Sequence, residues 1–165
     1  VDSFTLPFPY GIKTGYIVGP TDLIETLGRL IMVDETFVSS LGQNMLNEYI
    51  ERGYFQQHIS RLVQYYTHKR DLLCSCLDRL APMGLHYTKP KGGLLVWCRL
   101  DEGINERTLY LEAKKRGLLL VPGFLFYSSG YEGGGHVRLC FSNISDEDIE
   151  KAVELLGEAL RHSTE

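Results

Sequence analysis

Arg138 stands in the middle of "HVRLCFS", between Val137 and Leu139 in an apolar run. A guanidinium is costly to bury without a partner. Its planar fork matches a carboxylate through two parallel hydrogen bonds. The chemistry available to it is therefore recognition of a carboxylate. An alternating strand offers a second reading, in which Val137, Leu139 and Phe141 face a core and Arg138 faces solvent or a surface acid. Pattern alone favours that alternation. The stretch just before it, "FLFYSSGYEGGG", is long, aromatic and glycine-rich. It suits a substrate lid beside an anion-binding arginine, or a plain surface connection.

A second group lies at the start, in "VDSFTLPFPYGIKTGYIVGP". Ser3, Thr5 and Lys13 supply two hydroxyls and an ammonium, which together can hold a phosphate. The same three residues also fit an ordinary strand with a surface lysine, and spacing alone favours this. Other catalytic signatures are missing. There is no G-x-S-x-G, no phosphate-binding G-x-x-x-x-G-K-[ST], no H-E-x-x-H and no zinc-type spacing. His58, His68 and His162 fall on polar helix faces. The aromatic residues Tyr65, Tyr66, Phe124, Phe126 and Tyr127 read as core or lid packing rather than as a platform for nucleic-acid bases.

The four cysteines, Cys74, Cys76, Cys98 and Cys140, have no histidine at metal-ligand spacing. They are expected to be buried or half-buried reduced thiols. The chain has 165 residues and a formal charge of −4, which gives no electrostatic footprint for nucleic acid on this chain itself. No apolar run is long enough to span a bilayer and no signal peptide stands out, so the cytoplasm is the simple expectation. The chain begins with valine rather than methionine, inside what reads as a folded segment. A piece of a longer protein is expected.

The elements that must hold these residues are read from periodicity. "GYIVGP" predicts a buried strand, closed by Gly19 and Pro20. Thr21 or Asp22 caps a helix through "LIETLGRLIMV". "TFVSSLGQNMLNEYIERG" predicts a second helix with Gly53 as its stop, its apolar face made of Val38, Leu41, Met45, Leu46, Tyr49 and Ile50. A long amphipathic helix runs from Tyr54 to about Leu80 and ends at Pro82 and Gly84. "LHYTK" and "GLLVWCRL" form a hairpin around "PKGG". Next come a helix capped by Asn105 and stopped by Gly117, the short buried strand "LLLVPG", the strand "HVRLCFS" and a last helix capped by Ser145. A boundary near residue 80 is expected. It separates a strand with three helices (1–80) from an α+β unit (81–165), in which two helices cover a small antiparallel or mixed sheet.

Taken in order, "SFTLPFPYGIKTGYIVGP", "KPKGGLLVWCRL", "RGLLLVPGFLFY" and "HVRLCFSNISDEDIEKAVELL" resemble the C-terminal part of fold type I pyridoxal-phosphate aminotransferases. The resemblance is strongest to the α-aminoadipate and aromatic aminotransferase group and to the aminotransferase-like domain of MocR-type regulators in the GntR family. It covers nearly the whole chain. It implies an α/β fold: the end of the large cofactor domain with interdomain helices over 1–80, and the C-terminal small domain over 81–165. The family's first motif reads S-x-S-K, six residues, then R-x-G-[YF]. Its hydroxyls correspond to Ser3 and Thr5, and its phosphate-binding arginine to Lys13, which keeps the charge and loses the fork. Its Schiff-base lysine corresponds to Leu6, which has no amine and forms no aldimine. The family's binder of the substrate α-carboxylate corresponds to Arg138.

The resemblance thus implies pyridoxal 5'-phosphate as cofactor, an amino acid or similar small carboxylate as ligand, and a homodimer. DNA would be reached only through a separate upstream domain. With Leu6 in place, the chain itself is expected to be catalytically inactive. Three readings stand open on sequence: an effector-binding regulator domain, the small domain of a genuine aminotransferase, and a non-catalytic interaction module.

Overall fold

In the computed structural model, residues 1–8, 12–34, 39–128 and 135–163 are described. They fall into two units, Val1–Val63 and Gln64–Glu165.

In the first unit, strands β1 (Asp2–Ser3) and β2 (Gly15–Tyr16) pair antiparallel, with Asp2 opposite Tyr16 and Ser3 opposite Gly15. Helix α1 (Thr21–Asp34) and helix α2 (Ser40–Glu51) come after them. Ser39 caps α2 by accepting from the Gly42 N–H. Gly53 takes a φ of +74° just past the end of α2, as expected of its stop. The expected buried strand "GYIVGP" is corrected here. Only Gly15–Tyr16 is paired, and Ile17 and Val18 are exposed, because β1 is its sole partner among the described residues. The apolar face expected on α2 is also mostly open, with Leu41 and Met45 exposed and Leu46 buried. Val38 lies outside the described residues.

Helix α3 (Tyr54–Leu77) contains the division between the units. It passes into a 3-10 helix, Asp78–Met83, as Pro82 removes an N–H from the helical pattern. Gly84 closes this segment at φ +85°, where a Cβ would stand 2.7 Å from Ile104. Strands β3 (Leu85–Tyr87) and β4 (Leu95–Leu100) form the expected hairpin. Helix α4 (Glu106–Lys115) is capped by Asn105, whose side chain accepts from the N–H groups of Arg107 and Thr108. Strand β5 (Val121–Pro122), a short 3-10 turn at Gly123–Phe126, strand β6 (His136–Cys140) and helix α5 (Asp146–Arg161) complete the unit. Ser145 caps α5, with three acidic residues in its first turn.

The sheet is wholly antiparallel, in the order β3-β4-β6-β5. Strand β4 alternates strictly: Val96, Cys98 and Leu100 are buried, while Leu95, Trp97 and Arg99 are exposed. One face therefore closes on the apolar sides of α4, α5 and the end of α3, around Leu77, Leu85, Val96, Leu109, Val137 and Leu156. The other face is open, and that is where the candidate site lies. Cys74, Cys76 and Cys98 are buried free thiols as expected; Cys140 departs from the expectation and is exposed at the end of β6. Burial pushes the Cys98 thiol up to about 12. No helix among the described residues is long and apolar enough to cross a membrane.

Two measurements test this packing. Leu109 is fully buried and Leu111 is exposed on the same helix. Leu109→Ala should lower the unfolding free energy by about 2–5 kcal/mol and Leu111→Ala by less than about 0.5 kcal/mol, read by urea titration. Separately, Lys115 and then Arg116 hold the Glu112 carboxyl down at about 2, from an ordinary 4.5. A depressed carboxylate contributes stability above its unfolded pKa, and that contribution fades as pH falls toward the folded value. The stability difference between the parent chain and Glu112→Gln should thus be constant above pH 4.5 and vanish between there and pH 2.

Candidate functional site

Trp97 on β4 and Val121 on β5 stand directly opposite Arg138 on β6, so all three lie on the open face of the sheet. His136, two residues before Arg138, shares that face. The 3-10 turn after β5 brings Phe126 onto it. The Arg138 guanidinium carbon lies 4.9 Å from the Phe126 ring centroid, a cation–π contact. Trp97 meets Phe126 edge-on at 5.3 Å and stacks on His136 at 5.4 Å with the planes 17° apart. The Tyr127 hydroxyl reaches His136 Nδ1 at 3.4 Å. The result is a ledge of aromatic rings around a guanidinium.

Arg138 itself is half-buried. Its Nε is enclosed and has no hydrogen-bond partner among the described residues. A buried N–H of a charged group without an acceptor is unfavourable. Both readings made from the sequence thus meet here. The strand does alternate, since Val137 is fully buried on the opposite face, and the open face it leaves to Arg138 is a built environment rather than bulk solvent. Of the preceding "FLFYSSGYEGGG", residues 129–134 lie outside the described residues.

Glu106, the first residue of α4, was not singled out from sequence. Its carboxylate is buried and accepts three backbone hydrogen bonds: from Phe124 N–H at 3.1 Å through one oxygen, and from Gly135 N–H at 3.2 Å and His136 N–H at 3.1 Å through the other. It binds the 3-10 turn that carries Phe126 to the head of the strand that carries Arg138. Gly123 makes this approach possible. A Cβ there would stand 2.7 Å from His136 Cβ, 2.8 Å from its carbonyl oxygen and 3.2 Å from a Glu106 oxygen. Trp97 and His136 were missed as well, although His136 stands two residues before Arg138 on the same strand.

The other sequence candidates lie in the first unit. Ser3 Oγ donates to Thr5 Oγ1 at 2.8 Å and accepts from the Thr5 N–H at 3.1 Å. The two hydroxyls are therefore brought together, as an anion-binding pair would require, and they satisfy each other. Lys13 is exposed. Leu6 is 70% exposed, in a turn just past β1. The position that the resemblance gives to the Schiff-base amine carries an isobutyl group facing solvent. These residues do not fit a covalently held pyridoxal phosphate. No cluster of three metal-ligating side chains occurs among the described residues.

Comparison with known proteins adds a family pattern to this geometry. The model of the family described as aminotransferase class I and II matches residues 9–156. The HTH-type transcriptional regulator YdfD of Bacillus subtilis, itself uncharacterized, is 32% identical over 147 residues, 89% of this chain and 30% of that protein. Aromatic-amino-acid aminotransferase 1 of Thermococcus litoralis is 28% identical over 92% of this chain and 36% of its own length. Among solved structures, LysN, the alpha-aminoadipate aminotransferase of Thermus thermophilus complexed with N-(5'-phosphopyridoxyl)-L-leucine, superposes with a TM-score of 0.87 at 28% identity. That superposition covers 96% of this chain and 40% of LysN. The chain thus spans 30–40% of the length of these relatives.

The tight approach at Gly123 yields a prediction. Gly123→Ala should destabilise the second unit by about 1–3 kcal/mol, because the new methyl meets backbone as well as side chain. The emission of Trp97, the sole tryptophan, should change along with it.

Proposed function

The chain belongs to the aminotransferase class I and II family, and from that premise we propose that it serves recognition rather than transamination, as the effector-binding region of a MocR-type regulator of the GntR family. Its ligand is an amino acid or a similar small carboxylate, gripped by Arg138. The observation that carries this reading is the Arg138 guanidinium on the open face of the sheet, set beside Phe126 within an aromatic ledge. Recognition of a carboxylate needs the fork and its setting, and both are present. Transamination needs an amine at position 6, and leucine stands there. Any pyridoxal phosphate is held without a covalent bond, through Ser3, Thr5 and Lys13. In this proposal the whole protein is a cytoplasmic homodimer, and DNA is contacted by a different domain.

A second reading has its own support. The Ser3–Thr5 hydroxyl pair keeps the form of a phosphate cradle, and the relatives include enzymes named for aromatic and aminoadipate substrates. On that reading the chain is the small domain of an amino-acid aminotransferase, with Arg138 in the same role.

Calorimetric titration of the chain with L-2-aminoadipate and with L-phenylalanine tests the carboxylate grip. Saturable binding is expected, weakened tenfold or more in Arg138→Lys, which keeps the charge and loses the bidentate geometry. Equal affinities in the two proteins would remove Arg138 from the site. Incubation with pyridoxal phosphate and borohydride should label no single lysine; one specifically reduced lysine would restore the enzyme reading.

A further inference from the structure

We infer that Glu106 is the positioning residue of the Arg138 ledge: its carboxylate, through three backbone N–H groups, sets where Phe126 and His136 stand around the guanidinium. This assigns a role to a residue that touches neither the arginine nor any ligand, and its part concerning ligand affinity rests on the carboxylate-binding reading above.

The geometry gives the reason. Phe126 and Arg138 are twelve positions apart in sequence, and the turn that carries the ring is a single short 3-10 segment. Only two residues pair β5 with β6, Val121 with Arg138 and Pro122 with Val137. Pro122 has no N–H to give, so this ladder is weak. The Glu106 carboxylate supplies what the ladder lacks. One oxygen takes the Phe124 N–H, two residues before Phe126; the other takes the N–H groups of Gly135 and His136, leading into Arg138. An ionised carboxylate is acceptor only, with room for all three donors. A glutamine would present an amide N–H₂ to at least one of these N–H groups, donor against donor. Glu106 is itself fixed, because it opens α4 directly after the Asn105 cap.

Trp97, the only tryptophan, reports on this arrangement, since it touches both Phe126 and His136. In Glu106→Gln the Trp97 emission maximum should move to longer wavelength and acrylamide quenching of that emission should rise at least twofold. Far-UV circular dichroism should stay unchanged. Glu112→Gln, on the same helix but bonded only to Lys115 and Arg116, should leave the Trp97 signature as in the parent. Affinity for L-2-aminoadipate should fall tenfold or more in Glu106→Gln and stay level in Glu112→Gln.

A folded Glu106→Gln with parental quenching and emission overturns the inference, as does a Glu112→Gln that shifts Trp97 equally. Should Glu106→Gln fail to fold, Glu106→Asp is read the same way. Intermediate quenching supports the inference, and a fully parental signature overturns it. If the parent chain takes up neither L-2-aminoadipate nor L-phenylalanine, the carboxylate-binding reading fails, and the Trp97 signature still decides the role of Glu106.

Discussion

A buried carboxylate taking three backbone N–H groups is the constraint on which the second unit's open face depends. Charge-assisted hydrogen bonds are about twice as strong as neutral ones, and those at Glu106 are shielded from water. They join chain segments that the sheet alone holds weakly. Strand β5 is two residues long, one of them a proline, so ladder hydrogen bonds cannot fix the 3-10 turn that comes after it. The glycine at 123 completes the arrangement. Any side chain there would push the turn off the strand, and the carboxylate would lose its donors together. The cap at Asn105, the acid at 106 and the glycine at 123 act as one device.

The sheet's asymmetry explains why an arginine can stand mid-strand. A one-sided antiparallel sheet has one face for the core and one for other uses. Here the core face takes Val96, Cys98, Leu100 and Val137, and the open face takes Trp97, Arg99, His136 and Arg138. Arg138 is then neither solvated freely nor buried with a counter-ion. Phe126 covers its guanidinium, and the Nε is enclosed without an acceptor. On the proposed reading, an incoming carboxylate would meet this guanidinium on the open face, already set in place by its neighbours. The exposed ion pairs of this unit, such as Arg99 with Asp101 at 3.3 Å, contribute far less, since water competes for both partners.

Much of this fold was legible because local signals agreed with it. The hairpin around "PKGG", the caps at Asn105 and Ser145 and the stops at Gly53, Gly84 and Gly117 all stand where turn and cap chemistry put them. Strand "GYIVGP" failed for a non-local reason. An apolar run says that a segment can be buried, not that a partner is there to bury it, and beyond β1 none of the described residues pairs with it. The candidate residues were partly legible. Arg138 was visible as a charge within an apolar run, and Ser3 and Thr5 as hydroxyls two apart. Glu106 was not, because a glutamate in the first turn of a helix is ordinarily explained by the helix dipole. Its partners lie 18 to 30 residues away, where no sequence period reaches.

The two kinds of chemistry considered fail differently under substitution. A Schiff base depends on one atom, the amine nitrogen, so a leucine where the resemblance places that amine would remove the chemistry at a stroke. Carboxylate recognition rests on a frame: the fork, the ring above it, the strand register and the carboxylate that sets them. Such a frame is lost gradually, and only by changes at several positions. On the proposed reading, a chain with Arg138, Phe126, Trp97, Gly123 and Glu106 together and leucine at 6 would carry the distributed function without the point-dependent one. That asymmetry is what a protein selected for sensing an amino acid, rather than for transforming it, would be free to show.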